Sequence, residues 1–330
     1  MNRISSITFL AALAASGVVA GAPAYTTPVG YTTETIKAGL YNVFGVTLQN
    51  PVIISGNFEA VAGKILTDTG SGFGGQLVAG QTYILEITSG GLSGAIQEIT
   101  SFSGDTITTP QDLSASLSVG TTYKLRKAKT IGEIFGNANE AGLLTGSATT
   151  ADILWVPDGA GFQKYYYTNA SPPFVTAGWK NTATGNTNQS SAPIVYTDGL
   201  MLQRRGATDL NLVISGELKV TNTIVAIDQP YTYVGGVYPS GVTLANSGLS
   251  SSLAHGSITT ADVIWVPNGA GAFFKYYYAN AAPPFTTAGW KRSDTGNTDQ
   301  STAALTSAFY IEKRTVNPFN ATIAAPFTNP

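Results

Sequence analysis

Three adjacent tyrosines, Tyr165, Tyr166 and Tyr167, run into Pro172-Pro173-Phe174 and Gly178-Trp179-Lys180. The set recurs as Tyr276, Tyr277 and Tyr278, Pro283-Pro284-Phe285 and Gly289-Trp290-Lys291. Aromatic faces held on a rigid sheet can stack on sugar rings, or pack on a partner protein through tyrosine and tryptophan anchors. The candidate binding face is therefore Tyr165, Tyr166, Tyr167 and Trp179 with Tyr276, Tyr277, Tyr278 and Trp290. The competing reading puts Trp155, Trp179 and their copies Trp265 and Trp290 in a sheet core, because aromatics in β domains are more often packed than displayed.

The other constellations are incomplete. Asp294-Thr295-Gly296-Asn297-Thr298-Asp299 has the look of an oxygen-ligand loop for calcium, but its copy, Ala183 to Asn188, carries no carboxylate, and a hard cation needs that charge. A Gly-Asn turn is the expectation there. His255 is the sole histidine and corresponds to Thr145; a serine triad would have to use it as base, and no Gly-x-Ser-x-Gly elbow occurs. Asp152 and Asp262 are the acidic pair kept in both copies, one per copy at a strand start, where Asp caps local backbone. Glycosidic chemistry needs two carboxylates flanking one bond. Lys124, Arg126, Lys127 and Lys129 split between two strand faces, which fits solvated edges rather than a polyanion site. The expectation is no catalytic residue, no metal and no cofactor.

The elements that position these residues are repeated. Ala151–Ser190 and the segment from Ala261 to Ser301 match at 29 of 40 positions once one inserted residue near Ala272 is allowed. Within each copy Asp152–Val156 predicts a strand entering a Pro-Asp-Gly or Pro-Asn-Gly turn, Lys164–Tyr167 the returning strand, and Trp179-Lys180 the start of a third. Adjacent tyrosines in a strand point to opposite faces. A weaker likeness pairs Gly45–Asn50 with Gly241–Asn246 and Gly30–Thr35 with Gly216–Val220. The predicted organisation is a signal peptide at 1–24, a first β unit made of 25–50 and 130–214, an inserted small β domain at 51–129, and a second β unit at 215–330. The insertion offers strand candidates at Val61–Asp68, Thr82–Ser89, Ala95–Phe102, Thr106–Thr109 and Thr121–Lys127, separated by Gly/Ser turns. The fold class expected is all-β: two duplicated sandwich- or barrel-like units, the first interrupted by a small barrel-like domain.

Composition agrees. Charged residues are 11% of the 330 and the net charge is −2, which gives no electrostatic reason for nucleic acid or an anionic membrane as partner. Asn2-Arg3, an apolar stretch from Ile4 to Val19 and two small-residue cleavage sites predict export, and no later stretch is long and apolar enough to span a membrane. With no cysteine, a secreted chain must be held by sheet packing alone. A bacterial source is expected.

Several features together, namely Gly30-Tyr31, Tyr83–Ser89 into Gly91–Ile99, the link Thr130-Ile131-Gly132-Glu133-Ile134-Phe135-Gly136, Ala151–Pro157, Lys164–Tyr167 and Gly178-Trp179-Lys180, resemble an uncharacterised paralogous family of secreted β-rich proteins of verrucomicrobial bacteria. The resemblance implies export and β structure and carries over no site residues. The functional expectation is an exported, non-enzymatic extracellular or cell-surface structural or interaction protein that associates with itself. The alternative is a carbohydrate-binding module that recognises surface glycans through the repeated tyrosines and tryptophans.

Overall fold

The computed structural model describes residues 29–159, 161–305 and 308–327; the expected signal peptide at 1–24 lies outside the described residues. The chain is 42% strand and 4% helix, arranged in several antiparallel sheets. Among the described residues no helix is long and apolar enough to cross a membrane.

Two five-stranded sheets have the same strand order. The first runs Gly178–Asn181, Gly161–Thr168, Ile153–Asp158, Leu200–Gln203, Tyr41–Phe44. The second runs Gly289–Arg292, Phe273–Ala279, Val263–Pro267, Ala308–Glu312, Tyr231–Gly235. Registers correspond: Leu154 lies opposite Tyr165 as Ile264 lies opposite Tyr276, and Tyr167 opposite Trp179 as Tyr278 opposite Trp290. Side chains alternate across each strand. Leu154 and Val156 therefore enter the core with Ile264 and Val266, and Trp155 and Trp265 must face the other way. One apolar cluster runs through both sheets, from Leu154 and Trp179 to Ile264, Trp290 and Phe309. The sheets meet where Gly235 N donates to the Thr197 carbonyl at 2.7 Å. A Cβ at Gly235 would sit 2.6 Å from the Tyr196 carbonyl oxygen, so this approach requires glycine.

Smaller ladders flank these sheets. Val29–Ile36 pairs along its whole length with Leu210–Leu218, and Thr223–Ile227 pairs with Phe319–Ile323. Three expectations change here. The unit boundary expected between 214 and 215 falls inside the continuous strand Leu210–Leu218, whose Leu212 and Ile214 are both core residues. The second-unit counterpart of Val29–Ile36 is Thr223–Ile227, not Gly216–Val220. Gly241–Asn246 matches the link after the insertion, not Gly45–Asn50. The two links share a cap: Thr130 Oγ1 accepts from Glu133 N at 3.2 Å and Thr130 N donates to Glu133 Oε2 at 3.0 Å. Thr243 and Asn246 repeat this exchange at 3.4 and 2.7 Å.

The segment between Gln49 and Lys129 forms two four-stranded sheets around its own core, in which Phe58 stacks on Tyr123 at 4.4 Å. No pairing among the described residues closes these sheets into a barrel. The expected strand Val61–Asp68 is a hairpin, Ala60–Ala62 and Ile65–Thr67, turned at Gly63 with φ +64°. The expected strand Ala95–Phe102 divides into Ile96–Glu98 and Ser101–Ser103, which pair in different sheets.

The basic run is also not a solvated edge. Strand Thr122–Lys127 is central, between Val52–Asn57 and Tyr83–Ile87. Arg126 is buried between Glu86 at 3.6 Å and Glu217 at 3.5 Å, and buried Lys129 donates to Asn50 Oδ1 at 3.1 Å.

Candidate functional site

The eight predicted site residues do not form one displayed face. Tyr165, Tyr167, Trp179, Tyr276 and Trp290 are buried, and Tyr166, Tyr277 and Tyr278 are half-buried. Strand alternation is the reason: Tyr165 and Tyr167 share the inner face with Trp179 opposite Tyr167, and Tyr166 points outward. Trp179 packs edge-on to Tyr167 at 5.7 Å and against Phe135 at 5.5 Å, and its Nε1 donates to the Gly136 carbonyl at 2.8 Å. In the second sheet Trp290 meets Tyr278 edge-on at 5.4 Å, and His255 stacks on the other side of Tyr278 at 4.3 Å.

The residue after each buried tryptophan is a buried lysine. Lys180 Nζ donates to Thr176 Oγ1 at 3.0 Å and to the Asn186 carbonyl at 2.7 Å. Lys291 Nζ makes the same bonds to Thr287 Oγ1 and the Asn297 carbonyl, each at 2.9 Å. Asn186 Oδ1 and Asn297 Oδ1 accept from the backbone N–H of Thr176 and Thr287. The Thr-Gly-Asn loop that resembled a cation loop therefore takes a lysine ammonium from its own chain. This ammonium ties two loops together: the Thr-Gly-Asn turn and the Pro-Pro-Phe loop before the tryptophan strand.

At the tip of each Pro-Pro-Phe loop a phenylalanine stands in solvent, Phe174 at 82% exposure and Phe285 at 83%. The loop beneath is braced by the Phe174 N–H to Ser171 carbonyl bond at 3.1 Å and by Asn186 Nδ2 on the Phe174 carbonyl at 3.2 Å. An exposed aromatic thus stands at the tip of a hydrogen-bonded loop at matching positions in both sheets. Sequence reasoning placed these phenylalanines in the aromatic set but did not single them out. The missed signal is the lysine that follows each tryptophan.

Replacing Lys180 by Met should leave Thr176 Oγ1 and the Asn186 carbonyl without their donor. The expected cost is about 1–3 kcal/mol in a urea titration, with faster hydrogen exchange at the Asn186 turn. A variant as stable and as protected as the parent would contradict the bracing role.

A second feature crosses both sheets on their outer face. Trp155 contacts Tyr41 at 6.5 Å and Phe162 at 5.9 Å, and Phe162 reaches Tyr233 of the other sheet at 5.2 Å. Tyr233 continues to Tyr310 at 5.3 Å, which stacks on Trp265 at 5.0 Å. Lys164 and Lys275 each place Nζ 3.9 Å from a tryptophan centroid, over Trp155 and Trp265. Tyr41 and Tyr231, at matching edge positions, are 52% and 54% exposed. Trp155 and Trp265 are thus half-buried on the outer face, and Trp179 and Trp290 are packed in the core.

The remaining candidates resolve into structural roles. Asp152 accepts from Leu144 N at 2.7 Å and Arg205 N at 2.6 Å and pairs with Arg204. Asp262 accepts from Ala254 N at 2.8 Å and Arg314 N at 2.6 Å. Both serve as caps for local and neighbouring backbone.

These features define an antiparallel all-β protein with two corresponding five-stranded sheets, matching exposed phenylalanine loops and an outer aromatic band. No family model, curated protein or solved structure matches the chain.

Proposed function

We propose that the chain is an exported, non-enzymatic extracellular or cell-surface interaction protein that associates with further copies of itself. In this reading it is bacterial, related to the verrucomicrobial secreted proteins it resembles, and built from two duplicated β units. The first unit carries the inserted domain, and the division between units falls after Leu218. The observation that carries the interaction role is the pair Phe174 and Phe285, exposed at equivalent loop tips and held by Lys180 and Lys291. What supports the reading is that the two exposed rings stand at equivalent loop tips, where aromatic side chains can anchor a partner.

The test is sedimentation velocity over a wide concentration range, comparing the parent with the double variant Phe174→Ser/Phe285→Ser. Both side chains are exposed, so the variant should keep the parent's melting temperature. Assemblies in the parent that vanish in the variant are the expected result. A parent that stays monomeric at every concentration overturns the self-association reading.

The outer aromatic band favours a second reading, recognition of surface glycans. Exposed Tyr41, beside Trp155, and exposed Tyr231, beside Tyr310, offer rings at matching places on the two sheets. A glycan array supports it if binding is lost in Tyr41→Ala/Tyr231→Ala and kept in Phe174→Ser/Phe285→Ser.

A further inference from the structure

Where the insertion docks against the junction of the two sheets there is a cavity of about 530 Å³. Its wall carries three carboxylates from three separate segments: Glu98 of the inserted sheet, Asp198 of the crossing between sheets, and Asp228 before the edge strand of the second sheet. Its lining contains no Lys, Arg or His. Among the described residues none of these three carboxylates has a side-chain hydrogen bond or an ion pair. Glu98 and Asp228 are exposed and Asp198 is half-buried, so the cost of an uncompensated charge falls on Asp198, and a cationic ligand removes it. The rings of Phe162, Tyr231 and Tyr233 line the same space, and ring faces attract cations.

We propose that this cavity binds an aliphatic ammonium group, with Asp198, Glu98 and Asp228 as counter-ions and the Phe162, Tyr231 and Tyr233 rings around the charge. A metal ion does not suit it, because among the described residues no three acidic, His or Cys side chains converge closely enough to hold one. An alkylammonium is a compact N–H donor that needs direct contact with only one carboxylate, the others acting over distance, and so needs no such convergence. The apolar side chains of Ile96, Val195 and Ala226 suit a methylene stem. Ile96, Glu98 and Ala226 also border a neighbouring cavity of about 800 Å³, whose lining adds Asp112 and again holds no basic residue. The stem can therefore belong to a free diamine or to a lysine of another protein, which present the same head group.

The fold supplies its own control. A cavity of about 370 Å³ lies at the matching place on the other side, where Pro267, Phe273 and Tyr41 stand for Pro157, Phe162 and Tyr231. It contains one carboxylate, Glu34, together with a lysine, Lys37, in place of the three carboxylates without a basic residue. The site thus arises from the docked insertion rather than from the repeat, and it uses none of the exposed loop phenylalanines.

The groups that face Asp198 are Glu98 from the inserted sheet, and Asp228, Tyr231 and Tyr233 from the segment leading into the second sheet; Lys313 lies behind, its Nζ on the Asp228 carbonyl at 3.4 Å. Burial, with Glu98 nearby, pushes the Asp198 carboxyl up to about 7, and burial raises Glu98 as well. A cation binds the ionised carboxylate, and an alkylammonium stays charged to about pH 10. Affinity should therefore rise roughly tenfold from about pH 6 to about pH 8, as the ionised fraction of Asp198 grows.

Calorimetric titration of the full chain tests this with 1,5-diaminopentane, a capped Gly-Lys-Gly peptide and the same peptide acetylated on lysine. Expected are one binding event for at least one amine, none for the acetylated peptide, the stated rise with pH, and at least a tenfold loss in Asp198→Asn and in Glu98→Gln, roughly the worth of one charged contact. Tighter binding of the peptide points to a partner's lysine, and tighter binding of the diamine to a free amine; both support the site. Circular dichroism and melting of each variant exclude loss through unfolding, and if Asp198→Asn is unfolded the decision rests on Glu98→Gln. No binding of either amine at about 10 mM, equal binding of the acetylated peptide, a flat pH profile, or unchanged affinity in a folded variant overturns the proposal.

Discussion

Replacing Glu86 by Gln is expected to cost about 3–5 kcal/mol of stability, the cost typical of breaking a buried ion pair from one side. Glu86 is almost fully buried, paired with Lys219 and 3.6 Å from Arg126, and it accepts from Thr221 Oγ1 at 2.5 Å. Lys219 is equally buried and also donates to the Asn222 carbonyl at 2.9 Å. The group joins the inserted sheet to the chain leaving strand Leu210–Leu218. Its loss should loosen the insertion from the sheets it docks on, where the proposed ammonium cavity lies. Burial alone would raise the Glu86 carboxyl, but Lys219, Thr221 and Arg126 outweigh it and hold the group below its ordinary value. A carboxyl lowered by folding contributes stability that is present above its unfolded pKa and is lost as pH falls through the folded one. The parent should therefore lose this contribution in acid, and Glu86→Gln should lose less over the same range. Replacing Glu86 and Lys219 together by Met should cost less than the single change, because no lysine charge is then stranded. Urea midpoints at neutral and acid pH measure all three. A single variant no less stable than the double variant would contradict this account.

Local pattern and repetition made much of the scaffold legible. The strands Ile153–Asp158 and Gly161–Thr168, the turn between them and their second copies follow from β-branched and aromatic runs bounded by Pro, Asn and Gly. What was illegible depends on distant partners. Lys124–Lys129 reads as an exposed basic run until Glu86 and Glu217, far away in sequence, are placed beside Arg126. The Gly45–Asn50 likeness misleads because a few small residues recur by composition, and the true correspondence, Thr130–Glu133 with Thr243–Asn246, rests on a hydrogen-bond exchange between unlike side chains, Glu and Asn. The ammonium cavity has no local signature: Glu98, Asp198 and Asp228 belong to three segments that only docking brings to one wall.

The tryptophans show the limit of strand alternation and lead to the second large effect. Leu154-Trp155-Val156 and Ile264-Trp265-Val266 must each send the tryptophan away from its neighbours, but the pattern alone does not say which face is core. The register decides. Lys164 and Lys275 lie opposite Trp155 and Trp265 with their ammonium groups over the rings, a place where charge must reach water. Trp179 and Trp290 instead lie opposite the inward tyrosines. Trp179→Ala and Trp290→Ala should each cost about 3–5 kcal/mol, as for large aromatics emptied from a packed core. Trp179 gives up in addition its bond to the Gly136 carbonyl, which holds the end of the short helix Ile131–Phe135 against the sheet. Trp155→Ala and Trp265→Ala remove half-buried rings, a cation contact and edge contacts, and should cost about 1–2 kcal/mol each. Four urea midpoints decide the matter. Equal losses at all four sites, or larger losses at Trp155 and Trp265, would put the core on the other face of both sheets and remove the outer aromatic band with it.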